Sequence, residues 1–280
     1  MKMSYKTKGI AWIILIISLF CFAVFNVSID LKAAVILMGL CFACELIDSG
    51  LGMGYGTILT PTLLMMGYKV EDIVPTVLLS ELLSGFTAAF FHNEAKNVEL
   101  HLRGKDFTPA AILTGGSIVG AVSGVFLSIN LPKDMLGIIV GCIILLSGMF
   151  VVLLSRKIVE YSWWKMILLS TVASFNKAMS GGGYGPLVTS GQIISGVQGK
   201  AAVGITSFAE AFTCLLAATL FLLKGGFINY ILFIPMCTGA LLSVPFSVFA
   251  ISKAKEDHLK IVIGFVTIAL GALTIYKALS

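Results

Sequence analysis

Five ionisable residues stand within or beside long apolar stretches of the chain: Glu45, Asp48, Glu81, Lys177 and Glu210. A charge in hydrocarbon is costly, so it faces a partner or a water-filled cavity, and by default it marks a functional site. Lys177 lies four residues before the run Gly181-Gly-Gly-Tyr-Gly185. An ammonium beside a glycine-rich break suits an anion. A half-helix starting near Gly183–Tyr184 would aim free N–H groups and the positive end of its dipole at the same place. The alternative is that Lys177 pairs with Asp48 or a glutamate and holds the protein together. Glu81 and Glu210 sit mid-run and, with Asp48, are candidate proton carriers, because a carboxyl group out of water can take up a proton. Their alternative role is a hydrogen-bonded staple between helices.

Around these charges, Asn176, Ser180, Tyr55, Tyr184, Thr189 and Gln192 offer donors to the oxygens of an oxyanion. For the tyrosines and Thr189, packing or capping is the competing role. Gly54, Gly56, Gly182 and Gly183 complete the candidate substrate loops with Tyr55 and Tyr184. Close helix packing is the competing explanation for such glycines.

Other chemistries find little support. His92, His101 and His258 form no metal-ligand pattern, so no metal is expected. The six cysteines all lie in apolar stretches, which argues against a disulfide framework. Cys41 and Cys44 have C-x-x-C spacing, and an intramembrane thiol oxidoreductase would rest on them, yet no quinone, flavin or haem signature accompanies the pair. No catalytic triad, P-loop or ATP-binding domain is present, so no enzyme and no cofactor are expected. A transport cycle would draw on an ion gradient, the membrane potential or a partner protein. No basic run with interleaved aromatics points to nucleic acid.

The elements that position these residues follow from composition. Of 280 residues, 58% are hydrophobic and only 12% charged, against roughly 25% charged in soluble domains. The mean hydropathy is +1.02. Lipid must solvate most of such a chain. Apolar runs at Ile10–Val27, Ile73–Phe91, Phe107–Leu131, Met135–Leu154, Ala201–Leu223, Phe227–Ile251 and Leu259–Tyr276 approach the ~17–25 residues of a spanning helix. The first run follows Lys2, Lys6 and Lys8 and reads as an uncleaved span, since it is long for a signal peptide and no small-x-small site follows. Four shorter runs, Ala33–Ile47, Thr57–Met66, Trp163–Phe175 and Tyr184–Ile194, form two pairs, each split by glycines. Broken backbone survives in a membrane only under cover of protein or a cavity. The pairs therefore read as re-entrant hairpins of half-helices. The expected fold is an all-α polytopic membrane protein with about seven transmembrane helices and two such hairpins.

Basic residues Lys96, Arg103, Lys105, Arg156, Lys157, Lys253 and Lys255 fall on one side of this arrangement, which places the N-terminus inside and the C-terminus outside. The chain also repeats itself. Gly52-Met-Gly-Tyr-Gly-Thr-Ile-Leu-Thr-Pro61 aligns with Gly181-Gly-Gly-Tyr-Gly-Pro-Leu-Val-Thr-Ser190, identical at five of ten positions and offset by 129. Glu81 and Glu210 share that offset, as do Asp48 and Lys177. The expected organisation is an added first helix in 1–32, repeat one in 33–158 and repeat two in 159–280. The two repeats have inverted topology, an arrangement that recurs in secondary transporters.

The residues resemble the TauE/SafE family of sulfite-exporter-type membrane proteins. The resemblance is carried by Asp48-Ser-Gly-Leu-Gly-Met-Gly-Tyr-Gly-Thr-Ile-Leu-Thr-Pro61, Leu78-Leu-Ser-Glu81, Phe91-His-Asn93, Phe175-Asn-Lys-Ala-Met-Ser-Gly-Gly-Gly-Tyr-Gly-Pro186, Gly191-Gln-Ile-Ile-Ser-Gly196 and Ala202-Val-Gly-Ile-Thr-Ser-Phe-Ala-Glu210. It runs from about residue 33 to the C-terminus. It implies a transporter of the inner membrane, with export of small sulfur-containing anions such as sulfite or organosulfonates as the leading expectation. A passive anion channel is the alternative. The expected partners are a small anionic substrate and the lipid bilayer, with room for a homodimer.

Overall fold

Glycine turns and short polar loops divide a largely apolar chain into ten helices among the described residues of the computed structural model. Those residues are 5–26, 29–154 and 162–250, with 265, 268, 269, 272, 275 and 276 beyond them. The helices are α1 (Tyr5–Asn26), α2 (Leu31–Leu51), α3 (Tyr55–Met65), α4 (Val70–Glu94), α5 (Phe107–Asn130), α6 (Lys133–Leu154), α7 (Trp163–Ser180), α8 (Tyr184–Ile194), α9 (Gly199–Leu223) and α10 (Tyr230–Ala250). No strand occurs among the described residues. Among the described residues five helices are long and apolar enough to cross a membrane: α2, α4, α5, α9 and Tyr230–Phe249 of α10.

The expected runs at Ile10–Val27 and Met135–Leu154 appear as α1 and α6. The expected last span, Leu259–Tyr276, lies for the most part outside the described residues. So do the loops carrying Arg156, Lys157, Lys253 and Lys255.

One expectation needs correction. The run Ala33–Ile47, read as too short to span, is part of a helix of 21 residues, long and apolar enough to cross. Its counterpart α7 also continues beyond Phe175, to Ser180. Both helices extend because the polar residues in their last turns are buried against partners and do not break the backbone. Each glycine-split pair thus joins one long helix to an 11-residue helix, α3 or α8.

The backbone repeats with the sequence. Leu51 and Ser180, Tyr55 and Tyr184, Met65 and Ile194, Val70 and Gly199, and Glu94 and Leu223 bound equivalent helices, each pair 129 residues apart. The left-handed residues pair in the same way: Gly52 with Gly181, Gly54 with Gly183, Gly67 with Gly196 and Lys96 with Gly225. The register changes only beyond α4 and α9, where one loop spans 95–106 and its counterpart 224–229.

Packing is crosswise. Helix α5 packs mainly on α7 and α9, and α10 mainly on α2 and α4. Glycines make the close approaches: a Cβ at Gly116 would lie 3.0 Å from Ile167 O, and one at Gly239 would lie 2.2 Å from Met38 O. Small residues at such crossings drive helix association in lipid through van der Waals contact.

Candidate functional site

The two glycine turns meet in the middle of this arrangement. A Cβ at Gly56 would lie 1.8 Å from Gly181 O, and one at Gly185 would lie 2.3 Å from Gly52 O. These two clashes are related by the 129-residue offset. Only glycine lets the turns cross at this spacing, because the obstacle is backbone and cannot rotate away. Hydrogen bonds tie the crossing together. Gly183 N–H donates to Thr57 Oγ1 at 3.1 Å, and Thr189 Oγ1 donates to Gly52 O at 2.8 Å. Ser180 Oγ donates to Asn176 O at 2.8 Å and accepts from Gly182 N–H, which fixes the turn that leaves α7.

Lys177 projects from the last turn of α7 and is 1% exposed. Its Nζ pairs with Glu81 Oε2 of α4 and, at 2.8 Å, with Glu210 Oε1 of α9. Both carboxylates are buried, and they stand at equivalent positions of the two repeats. One ammonium thus meets two carboxyl groups. Glu81 Oε1 has no hydrogen-bond partner. Removing one side of a buried ion pair typically costs ~3–5 kcal/mol, since the remaining charge stays in a low-dielectric setting.

Asp48 does not hold Lys177. Its Oδ1 accepts from the backbone N–H of Tyr55 at 3.2 Å, so it caps the N-terminus of α3 from the end of α2. It lies within electrostatic reach of Lys177 and Glu210. At the N-terminus of α8 the equivalent residue is Lys177, which has no acceptor to offer.

The remaining candidates scatter. Tyr55 OH bonds Ser80 Oγ at 2.8 Å, and Tyr184 OH bonds Ser117 Oγ at 3.1 Å, so both hydroxyls point into helix packing. Gln192 lies eight residues along α8 from Tyr184, about 12 Å at 1.5 Å per residue. Its Nε2 donates to Thr206 Oγ1 at 2.8 Å, and Thr206 Oγ1 in turn donates to Thr189 Oγ1 at 2.9 Å, the Thr189 proton being given to Gly52 O. Thr189 and Gln192 therefore form a polar cluster with Thr206, apart from the lysine. The crossing sets Gly56 against Gly181 and Gly182, and Gly183 against Thr57, while Gly54 packs on Ile47 and Ile58 of its own repeat. Asn176 is half-buried one residue before the lysine.

A second polar chain escaped the sequence reading. Glu45 accepts from Ser49 Oγ at 2.5 Å and from Ser84 Oγ at 3.1 Å. Ser49 O accepts from His92 Nε2–H at 2.7 Å, and His92 Nδ1 accepts from Asn97 Nδ2 at 3.1 Å. These bonds fix His92 as a neutral imidazole protonated on Nε2. The i, i+4 spacing of Glu45 and Ser49 was the available signal for the first of these contacts. Among the described residues no group of histidine, cysteine and acidic side chains could hold a metal ion.

The model of the sulfite exporter TauE/SafE family matches residues 35–274. Among curated proteins, the "Probable membrane transporter protein YtnM" of Bacillus subtilis (strain 168) is 26% identical over 244 residues, spanning 82% of this chain and 79% of that protein. No solved structure matches the chain.

Proposed function

We propose, on the premise that the chain belongs to the TauE/SafE sulfite exporter family, that it is a secondary transporter exporting small sulfur-containing oxyanions such as sulfite or organosulfonates. The chain is a multi-pass membrane protein of a transporter family. The finer reading is an inner-membrane protein with an added first helix in 1–32 and inverted repeats in 33–158 and 159–280. In this reading the 11-residue helices α3 and α8 enter the membrane without crossing it.

One observation carries the substrate class. At the N-terminus of α3 a carboxylate, Asp48, accepts a backbone N–H. At the equivalent N-terminus of α8 the chain supplies a buried ammonium, Lys177. A small oxyanion placed there would do for α8 what the Asp48 carboxylate does for α3, and would neutralise Lys177 as well. Backbone N–H groups and a helix dipole favour an anion at that position. The repeats thus make one anion site and not two.

Glu81 and Glu210 occupy the ammonium when the site is empty. An entering anion displaces at least one of them, and protonation of the displaced carboxyl keeps the buried charge in balance. This couples anion movement to proton movement. The enclosure of Lys177 favours a carrier over an open pore. Isothermal titration of purified protein with sulfite, sulfoacetate, thiosulfate, sulfate and acetate tests the reading. Saturable binding of a sulfur oxyanion by wild type, lost in Lys177→Ala, is expected. Equal affinity of the two proteins for every anion overturns it.

A further inference from the structure

The loops that leave α4 and α9 begin with the same hydrogen bonds. Ala95, Lys96 and Asn97 N–H donate to Phe91 O, Asn93 O and His92 O. Lys224, Gly225 and Gly226 N–H donate to Leu220 O, Leu222 O and Phe221 O. Every one of these atoms has its counterpart 129 residues away. Lys96 (φ 59°) and Gly225 (φ 85°) take the same left-handed conformation. The next apolar residues, Val98 and Phe227, are therefore structural equivalents. So are Pro75 of α4 and Gly204 of α9.

The two loops are in opposite states. Val98 is docked on α9: it is 2% exposed, and a Cβ at Gly204 would lie 2.7 Å from its Cγ1. It packs with Ala110, Leu113, Ala201 and Ile205. Side chains hold the loop closed, Asp106 accepting from Glu99 N–H at 2.9 Å and Asn93 from Leu100 N–H at 3.0 Å. Phe227 is 68% exposed. Where its docking site would be, a cavity of about 230 Å³ opens between the start of α4 and the ends of α5 and α9, lined by Val74, Pro75, Ser128, Phe221 and Lys224 among others. One turn deeper, Leu78, Val125 and Ala218 belong to an apolar cluster that separates this cavity from Glu81 and Glu210.

We propose that the cavity is a vestibule of the transport path and that Val98 and Phe227 are the tips of two reciprocal gates. In this structure the Val98 gate is shut and the Phe227 gate is open. In the alternate state Phe227 fills the space above Pro75 while Val98 leaves Gly204. Exchange of the two repeats' conformations produces both changes at once. The inference rests on the carrier reading above and adds which segments move.

The test uses the full chain in lipid nanodiscs, where both faces meet solvent, and needs no substrate. Pro75→Cys with Phe227→Cys is oxidised with copper phenanthroline, and the 75–227 disulfide is identified by mass spectrometry. Pro75 is a buried residue of α4 that lines the cavity, where the smaller cysteine fits, and Phe227 is exposed. The disulfide is expected to accumulate as the alternate state is trapped. Adding Val98→Ala, which weakens the shut gate, should speed its formation about tenfold, the scale expected for losing two packed methyl groups. The same variant should slow labelling of Ser128→Cys by a hydrophilic thiol reagent, by a smaller factor, since the open state remains the major one. Absence of the disulfide in folded protein overturns the proposal. So does a formation rate that Val98→Ala leaves unchanged. Should the protein bind no anion and yet show these shifts, the substrate reading falls and the gates stand. Intact anion binding without the shifts removes the gates and leaves the substrate reading in place.

Discussion

Asp48 and Lys177 occupy the same place in two equivalent turns and carry opposite charges. Asp48 accepts the N–H of Tyr55, while Lys177 is buried between Glu81 and Glu210. The asymmetry gives two equivalent turns different partners. It also changes what a mutational rescue should look like.

Lys177→Ala should abolish anion binding and lower the melting temperature, because it leaves Glu81 and Glu210 buried without a counter-charge, at ~3–5 kcal/mol. Asp48→Ala should not restore stability, since Asp48 is not the lysine's partner. Glu81→Gln with Glu210→Gln in the same chain should restore much of it, without binding. Thermal unfolding of the single, double and triple variants checks this. Rescue by Asp48→Ala would contradict the pairing.

Glu210→Gln alone should leave Lys177 paired with Glu81 only and more available to an anion. We expect tighter anion binding than wild type and loss of anion-driven proton flux in proteoliposomes carrying a pH indicator. Unchanged proton flux would remove Glu210 from the coupling path.

Asp48→Asn should leave stability nearly unchanged, because an amide oxygen accepts the Tyr55 N–H as a carboxylate does. Anion affinity should stay within a few-fold of wild type. A complete loss of binding in a stable Asp48→Asn protein would place Asp48 on the substrate itself.

Gly56→Ala should prevent folding, since its Cβ would sit 1.8 Å from Gly181 O. Gly39→Ala in α2, with nothing within 4 Å, is the control. It should stabilise α2 by about 0.5–1 kcal/mol, as expected when alanine replaces an unconstrained helical glycine. Fluorescence-detected size exclusion of the two variants reads the contrast. A monodisperse Gly56→Ala peak would mean that the turns do not cross this closely.

Much of this was legible in the chain. The 129-residue offset and the paired glycine runs gave the equivalence of α2–α4 and α7–α9, because a helix break needs the same glycine spacing wherever it occurs. The five ionisable residues were legible because charges are rare in apolar runs. Their partners were not. Nothing local says that Lys177 of α7 meets Glu81, 96 residues earlier. The end of α2 was misplaced for a related reason. Glu45 and Asp48 lower the hydropathy of its last turns, while Ser49, Ser84 and the Tyr55 N–H satisfy them within the fold. Tyr184 and Gln192 were grouped with the lysine by proximity in sequence, but an 11-residue helix carries Gln192 away from it.

Crosswise packing has a consequence for how the protein is made. Helix α2 rests on α10, which begins at Tyr230, 199 residues after α2 begins at Leu31. At ~5–20 residues per second, about 10–40 s of synthesis separate the two. Glu45, Asp48 and Glu81 leave the ribosome before Lys177 exists. Until Lys177 follows, 96 residues later, Glu81 must wait without its cation, shielded by water, by a proton or by the insertion machinery. The halves cannot then mature one after the other, and each stays unfinished until the ribosome has delivered the second.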